Sequence, residues 1–215
     1  MEHAALIRPL FSGPLDIVGD VHGEIDALET LLSCLGYNHH GEHPQGRRLV
    51  FVGDLVDRGP DSPAVIERVM ALVSRGLAQC LLGNHELNLL RGARKAGNAW
   101  LLDPERAEQQ PGGEFAHSRV ASPGALQAYL AFLASLPLAL ERSDLRVAHA
   151  AWLGGEIAAL RRATGSVKDI YQTFEQATKA QLEMEGLDLR AQAELQRYKV
   201  ALHARYPDGS PACIG

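Results

Sequence analysis

Several classes of protein are excluded by what this 215-residue sequence lacks. It has only three cysteines (Cys34, Cys80 and Cys213), without the close spacing of a metal-binding or disulfide framework. No apolar run approaches the ~20 residues that cross a bilayer. Basic residues are not in excess, and the formal net charge of −5 gives no reason to expect a nucleic-acid-binding surface.

The composition and the first residues of the sequence also predict the cellular compartment of the protein. The first residues, MEHAALIRPLFSGP, lack the basic start and the apolar core of a signal peptide. A few widely spaced thiols are typical of a reducing compartment. The sequence therefore predicts a cytoplasmic protein with no membrane and no nucleic acid polymer as partner. Its length suits one sizeable domain.

Short apolar runs alternate with helical patterns in the first half of the chain. Strands are predicted at residues 15–20, 48–54 and 77–84, and helices at 24–36, 62–76 and from His85. This order implies right-handed crossovers and a mainly parallel sheet covered by helices.

The second half is less regular. Residues 97–124 are rich in Gly, Pro and charge, which predicts a long loop. A helix follows (ALQAYLAFLASLP), then two short strands (LALE and DLRVAHA), and a mostly helical pattern from Val167 to Tyr206 with a break near Gly186.

Polar side chains follow each predicted strand. They are Asp20 and His22 after the first strand, Asp54, Asp57 and Arg58 after the second, Asn84 and His85 after the third, and His149 after a later one. Because parallel strands end at one edge only ~4.8 Å apart, these side chains can converge. Carboxylates, imidazoles and a carboxamide oxygen suit hard or borderline divalent metals. Separate surface turns are the alternative, but their ordered repetition favours a two-metal site with Asp54 as the bridging ligand.

The motifs GDVHG, GDLVDRG, GNHE and AHA, in this order over residues 15–150, resemble the calcineurin-like metallophosphoesterases. Within them, the phosphoprotein phosphatases are most similar, including bacterial and phage members and the symmetrical diadenosine tetraphosphatases. The resemblance implies an α/β fold, the αββα metallophosphoesterase sandwich, with a mainly parallel first sheet. It also implies two divalent metal ions, with Mn²⁺ expected and Fe or Zn as alternatives.

The resemblance also implies the metal ligands, residue by residue. Asp20 and His22 would hold the first metal, and Asp54 would bridge the two. Asn84 and His149 would hold the second metal.

The remaining matched residues would act on the substrate. Arg58 would bind the phosphate oxygens, together with Asn84, and His85 would protonate the leaving oxygen. Asp57 would hold the His85 ring and keep it charged. The structural alternatives are that Asp57 caps the next turn and that His85 is a solvent-facing helix residue.

Three functions remain open from the sequence. The first is hydrolysis of phosphate monoesters on phosphoproteins, by in-line attack of metal-bound hydroxide. The second is hydrolysis of a symmetrical dinucleoside tetraphosphate, although that group tends to have Asp where this chain has Glu86. The third is a metal-binding module with little turnover. The partner is accordingly a phosphorylated protein or a nucleotide.

The chain departs from the family pattern after residue 150. Members usually supply one more histidine to the second metal, and the only later one here, His203, lies in a helical pattern. The second sheet is also short of strands. We therefore expect a core at 1–165 and a mostly helical segment at 166–215 of the same domain. The chain is then either a variant with a poorer second metal site or, as we favour, truncated relative to a longer protein. The exposed apolar surface of an incomplete sheet would favour a homo-oligomer.

Some chemically capable residues are interpreted as structural. His39, His40 and His43 lie in a polar loop, and Trp100, Trp152 and Tyr129 are expected to be packing residues. Arg161 and Arg162 could supply a second phosphate contact or form a solvated helix face.

Overall fold

The computed structural model describes residues 5–105 and 118–184. The strands are β1 (Ile7–Pro9), β2 (Leu15–Val18), β3 (Arg48–Phe51), β4 (Ala78–Cys80), β5 (Ala139–Glu141) and β6 (Arg146–Ala148). The helices are α1 (Ile25–Cys34), α2 (Ser62–Ser74), α3 (Asn84–Leu90), α4 (Ala99–Leu102), α5 (Ala125–Ala134), α6 (Gly154–Arg162) and α7 (Val167–Met184). A 3₁₀ turn (Ala96–Asn98) precedes α4.

Two three-stranded sheets are formed by the described residues. The first has the order β2-β3-β4 and is wholly parallel. The second has the order β1-β5-β6, in which β1 and β5 are parallel and β6 runs antiparallel to β5. This architecture confirms the predicted α/β class. Since Val18, Phe51 and Cys80 pair across the first sheet, the chain leaves all three strands at the same edge.

The two sheets share one apolar cluster. Val50 of β3 packs there with Leu140 of β5 and Val147 of β6. Leu49 and Phe51, which alternate with Val50, are also fully buried, as expected for a parallel sheet covered on both faces. Each such side chain contributes about 1.5–3 kcal/mol through burial, and this packing holds the edge that carries the polar residues.

The helices of the first half agree with their sequence signals. Helix α2 begins after Asp61, whose side chain accepts a hydrogen bond from the backbone N–H of Ala64 at 2.8 Å. Helix α1 ends before Gly36, which has a φ of 92°. That left-handed conformation is the one that glycine adopts readily at a helix C-terminus.

The predicted loop over residues 97–124 is wrong at its start. Residues 96–102 form the 3₁₀ turn and α4 instead, with Trp100 and Leu101 buried. Burial of these two side chains outweighs the local Gly and charge content. The sequence does not predict strand β1, and it indicates helix α6 only through the helix face considered for Arg161 and Arg162.

The described part of the chain divides into two compact units, with the boundary between Lys168 and Asp169. No strand follows residue 150 within residues 151–184. Among the described helices, none combines the length and the apolar character needed to cross a membrane. His203 and Cys213 lie outside the described residues.

Gly53 and Gly83 allow the ends of β3 and β4 to come into close contact. A Cβ atom added to Gly53, whose φ is 102°, would lie 2.4 Å from the backbone nitrogen of Gly83. A Cβ added to Gly83 would lie 2.3 Å from Oδ1 of Asp54. The approach of these two loops therefore requires the absence of both side chains.

We expect Gly53→Ala to lower the free energy of unfolding by about 2–5 kcal/mol, since it combines a left-handed alanine with a backbone clash. The control is Gly13→Ala, because Gly13 has a φ of 81° and nothing within 4 Å of the added Cβ. That variant should lose only about 1–2 kcal/mol. Urea denaturation measures both, and equal losses would show that the close approach is not needed.

Candidate active site and metal centre

The polar loops that follow β2 and β3 at the edge of the first sheet are tied together by backbone hydrogen bonds. The carbonyl oxygen of Asp54 accepts from the N–H groups of Val21 and His22, both at 3.0 Å. The N–H of Gly59 donates to the carbonyl oxygen of His22 at 2.7 Å. The GDVHG and GDLVDRG segments therefore form one fixed surface rather than two independent turns.

The backbone itself is unusual at this surface. The non-glycine residues with positive φ in the described chain are His22 (46°), Asp54 (49°), Asp57 (69°) and Arg58 (67°). Such conformations cost energy and persist only where surrounding contacts enforce them. Their concentration in two adjacent motifs indicates a functional site.

Asp54 lies at the centre of the polar cluster, with its side chain only 6% exposed. Its Oδ2 is 4.0 Å from Nε2 of His22, and its Oδ1 is 3.6 Å from Nε2 of His149. Asp54 is thus common to two groups of possible ligands, one with His22 and His85 and the other with Asp20 and His149. A carboxylate shared between two ligand groups fits a bridging position.

The ring orientations of His22 and His149 suit metal binding. His22 donates from Nδ1 to the carbonyl oxygen of Val56 at 2.9 Å, and His149 donates from Nδ1 to that of Val52 at 3.0 Å. Each bond fixes the proton on Nδ1 and leaves a lone pair on Nε2. Nε2 of His149 also faces Oδ1 of Asn84 at 3.1 Å. The lone pairs of these two atoms point into the same space, where one cation could bind both. This combination of nitrogen and oxygen donors therefore fits a divalent metal.

His85 has a different kind of partner. Its Nδ1 lies 2.7 Å from Oδ2 of Asp57, a carboxylate that is 2% exposed. This hydrogen bond raises the pKa of His85 above its usual value, against the opposing effects of burial and of Arg58. A carboxylate partner favours the imidazolium form, whereas the backbone carbonyls that hold His22 and His149 do not. His85 is therefore suited to carry a proton rather than to bind a metal.

Arg58 lies over the same cluster. Its guanidinium nitrogens are 3.0 Å from Nε2 of His22 and 3.5 Å from Nε2 of His85. Its exposed, planar fork can bind the oxygens of a phosphate group. Arg58 thus brings a positive charge to the point where the two histidine edges meet.

Glu86 is fully buried directly behind the site. Its Oε2 accepts from the N–H groups of Asp54 (2.8 Å) and Gly83 (2.9 Å), and its Oε1 accepts from that of Leu55 (2.8 Å). Burial and the charge of Asp54 raise the pKa of Glu86 to about 7, while the three hydrogen bonds lower it. Glu86 joins the β3 and β4 loops from within.

The structure brings all the predicted ligands and substrate-binding residues to one edge. Asp57 does not cap the next turn, because its two carboxylate oxygens bind His85 and Trp100, and Asp61 caps helix α2 instead. The loop that carries His39, His40 and His43 is mostly exposed, and the rings of His39 and His40 lie 3.7 Å apart with a tilt of 44°. Arg161 is bound to Glu141 at the end of β5.

Two residues that support the site were missed. Glu86 was considered only as a mark of substrate class. Trp100 was interpreted as a packing residue, and it is buried, but its indole N–H also donates to Oδ1 of Asp57 at 2.8 Å. A tryptophan within a Gly-rich and charged stretch is the sequence signal that could have drawn attention to it.

Comparison with known proteins agrees with this geometry. Residues 13–147, more than half of the chain, match the calcineurin-like phosphoesterase family. The chain belongs to this family. Membership of this family agrees with the expected class of metal-dependent phosphoesterase.

Two curated relatives of this chain carry the names of nucleotide hydrolases. Bis(5'-nucleosyl)-tetraphosphatase PrpE (asymmetrical) of Oceanobacillus iheyensis is 50% identical over 80 residues, which are 36% of this chain and 32% of that protein. The symmetrical bis(5'-nucleosyl)-tetraphosphatase of Ralstonia nicotianae is 42% identical over 93 residues, 42% of this chain and 30% of that protein. The chain thus matches about a third of the length of these relatives.

A protein serine/threonine phosphatase from Saccharomyces cerevisiae has the same fold. Its structure superimposes with a TM-score of 0.50 and 19% sequence identity, over 75% of this chain and 47% of that one.

We expect Glu86→Gln to lower the free energy of unfolding by about 1–3 kcal/mol, because an amide nitrogen would replace one acceptor of three buried N–H groups. The control is Glu24→Gln, since Glu24 is exposed and its substitution should change stability by no more than about 0.5 kcal/mol. Both are measured by urea denaturation of metal-stripped protein. If Glu86→Gln left the free energy of unfolding unchanged, the buried carboxylate would not be what holds the two loops together.

Proposed function

We propose that this protein hydrolyses dinucleoside tetraphosphates, with two divalent metal ions bound around Asp54. The observation that carries the proposal is the convergence of Asp54, His22 and His149 with Arg58 at one edge of the sheet. The names of the two curated relatives support a nucleotide substrate over a phosphoprotein.

Five residues would hold the metals. Asp20, His22 and Asp54 would bind one ion, and Asp54, Asn84 and His149 the other. Divalent ions at these ligands supply charge neutralisation for a phosphate group and lower the pKa of water. The imidazole ligands favour a transition metal such as Mn²⁺ over Mg²⁺.

The protein's own side chains bind the phosphate and move the proton. Arg58 binds the phosphate oxygens through its guanidinium fork. His85, whose pKa is raised by its hydrogen bond to Asp57, donates the Nε2 proton to the leaving oxygen as the bond to phosphorus breaks. Asp57 keeps the other ring proton on Nδ1.

A phosphoprotein substrate was favoured in the sequence by the glutamate at position 86. This argument loses its weight, because Glu86 is fully buried and binds three backbone N–H groups. A side chain in that position does not contact the leaving group. A phosphoprotein is therefore the second candidate substrate, after a dinucleoside tetraphosphate.

A side-by-side assay tests the proposal. With Mn²⁺ present, we expect a higher kcat/KM on diadenosine tetraphosphate than on a phosphoserine peptide, and a lower rate with Mg²⁺. Product analysis separates asymmetrical cleavage to ATP and AMP from symmetrical cleavage to two ADP. Protein stripped of metal by a chelator should be inactive until Mn²⁺ returns. A higher kcat/KM on the phosphopeptide, or full activity after stripping, would contradict the proposal.

We expect His85→Ala to slow hydrolysis of an alkyl phosphate by roughly 10²–10⁴-fold, the range for a lost general acid. The loss should be smaller on p-nitrophenyl phosphate and on diadenosine tetraphosphate, whose leaving groups need less protonation. His39→Ala, in the exposed loop, is the matched control and should leave all three rates unchanged. Equal losses on the three substrates would remove His85 from the proton-donating role.

A further inference from the structure

The carboxylate of Asp57 has two partners, and the proposed chemistry uses only one of them. Oδ2 lies 2.7 Å from Nδ1 of His85, while Oδ1 accepts the indole N–H of Trp100 at 2.8 Å. Asp57 and Trp100 are each only 2% exposed. Water therefore does not compete for either oxygen, and the indole is the donor that satisfies Oδ1.

The indole N–H restricts the orientation of Asp57. Because it can only donate, it holds one carboxylate oxygen in place, which fixes the rotation of the carboxylate and directs the other oxygen at His85. A buried carboxylate oxygen without a donor would cost about 1–3 kcal/mol, more for a charged group.

Trp100 is in turn held firmly by the segment that the sequence predicted as a loop. The side chain of Asn98 accepts from the N–H of Lys95 and donates to the carbonyl oxygen of Ala93, both at 2.9 Å. The carbonyl oxygen of Trp100 itself accepts from the N–H of Ala121 at 3.0 Å. The position of the indole is thus set by the turn before it and by the chain after it.

The same segment packs directly on Asp57. A Cβ atom added to Gly97 would lie 3.3 Å from Cβ of Asp57, so the turn leaves little space for the carboxylate to move. The buried ring of Tyr129 lies 6.5 Å from that of Trp100. The indole, the turn and Asp57 form one packed unit behind His85.

We propose that Trp100 is a positioning residue, whose indole N–H holds the Asp57 carboxylate so that His85 presents its proton to the leaving oxygen. The inference rests on the proposed role of His85 as proton donor. Trp100 acts through Asp57 and His85 and does not touch the substrate. Its loss should therefore matter only where the leaving oxygen needs a proton.

Trp100→Phe tests the proposal, because it removes the N–H and keeps most of the ring. With Mn²⁺ in excess and metal content checked, we expect about a 10-fold or greater loss of kcat on an alkyl phosphate. On p-nitrophenyl phosphate the loss should be under about 3-fold. Tyr129→Phe is the matched control, since it removes a hydroxyl that donates to Glu67 from the same buried cluster, and both rates should stay within about 2-fold.

A double variant separates positioning from general damage. If Trp100 acts through His85, then adding Trp100→Phe to His85→Ala should cause no further loss on the alkyl phosphate. A further loss of the same size as in the unaltered background would overturn the proposal. Equal losses of Trp100→Phe on both leaving groups would also overturn it.

A second measurement does not depend on activity or on the stability of a Trp100 variant. The sequence has two tryptophans, so ¹⁵N-labelled protein gives two indole N–H signals by NMR, and Trp152→Phe assigns them. Asp57→Asn should shift the Trp100 signal upfield and speed its exchange with solvent, because a neutral carbonyl accepts less strongly than a carboxylate. An unmoved signal would overturn the proposal. If the unaltered protein hydrolyses no phosphate ester, the proposed function fails, and this signal alone decides whether Trp100 holds Asp57.

Discussion

The site depends on one buried carboxylate. Glu86 accepts hydrogen bonds from the backbone N–H groups of Asp54, Leu55 and Gly83, and so it joins the loops that follow β3 and β4. Those loops carry the central acid, the proton donor and the carboxamide of the candidate metal centre. Two glycines allow the approach, but Glu86 gives it a fixed geometry, because three amides converge on two oxygens. The placement of Asp54 between the histidines follows from this contact.

Around that fixed point, the partner of each imidazole Nδ1 decides what the ring can do. Backbone carbonyls accept the Nδ1–H of His22 and of His149, so Nε2 of each ring is directed at the acids. A carboxylate holds His85 and raises its pKa. Three histidines in one cluster thus divide into two chemical types without any difference in their own covalent structure.

The sequence predicts the polar side chains at this edge of the sheet better than it predicts the residues that hold them in place. Strand-end motifs such as GDVHG are local, and a parallel sheet brings their ends to one edge by geometry alone, so Asp20 and Asn84 could be assigned before the structure. The bond from Trp100 to Asp57 joins residues 43 positions apart, and Trp100 lies in a stretch whose composition indicated a loop. Strand β1 has three residues and exists because β5 pairs with it. Such contacts depend on tertiary packing and produce no periodic pattern in the sequence.

The left-handed backbone at His22, Asp54, Asp57 and Arg58 affects how alanine scanning of this protein should be interpreted. The native side chains at these positions all carry a Cβ atom, so the left-handed backbone already costs about 1–2 kcal/mol at each of them. Alanine carries the same backbone cost but removes the side-chain contacts that help to enforce this conformation. Glycine adopts the left-handed region freely, so a comparison of alanine with glycine at each position separates the loss of the side chain from the relief of backbone strain.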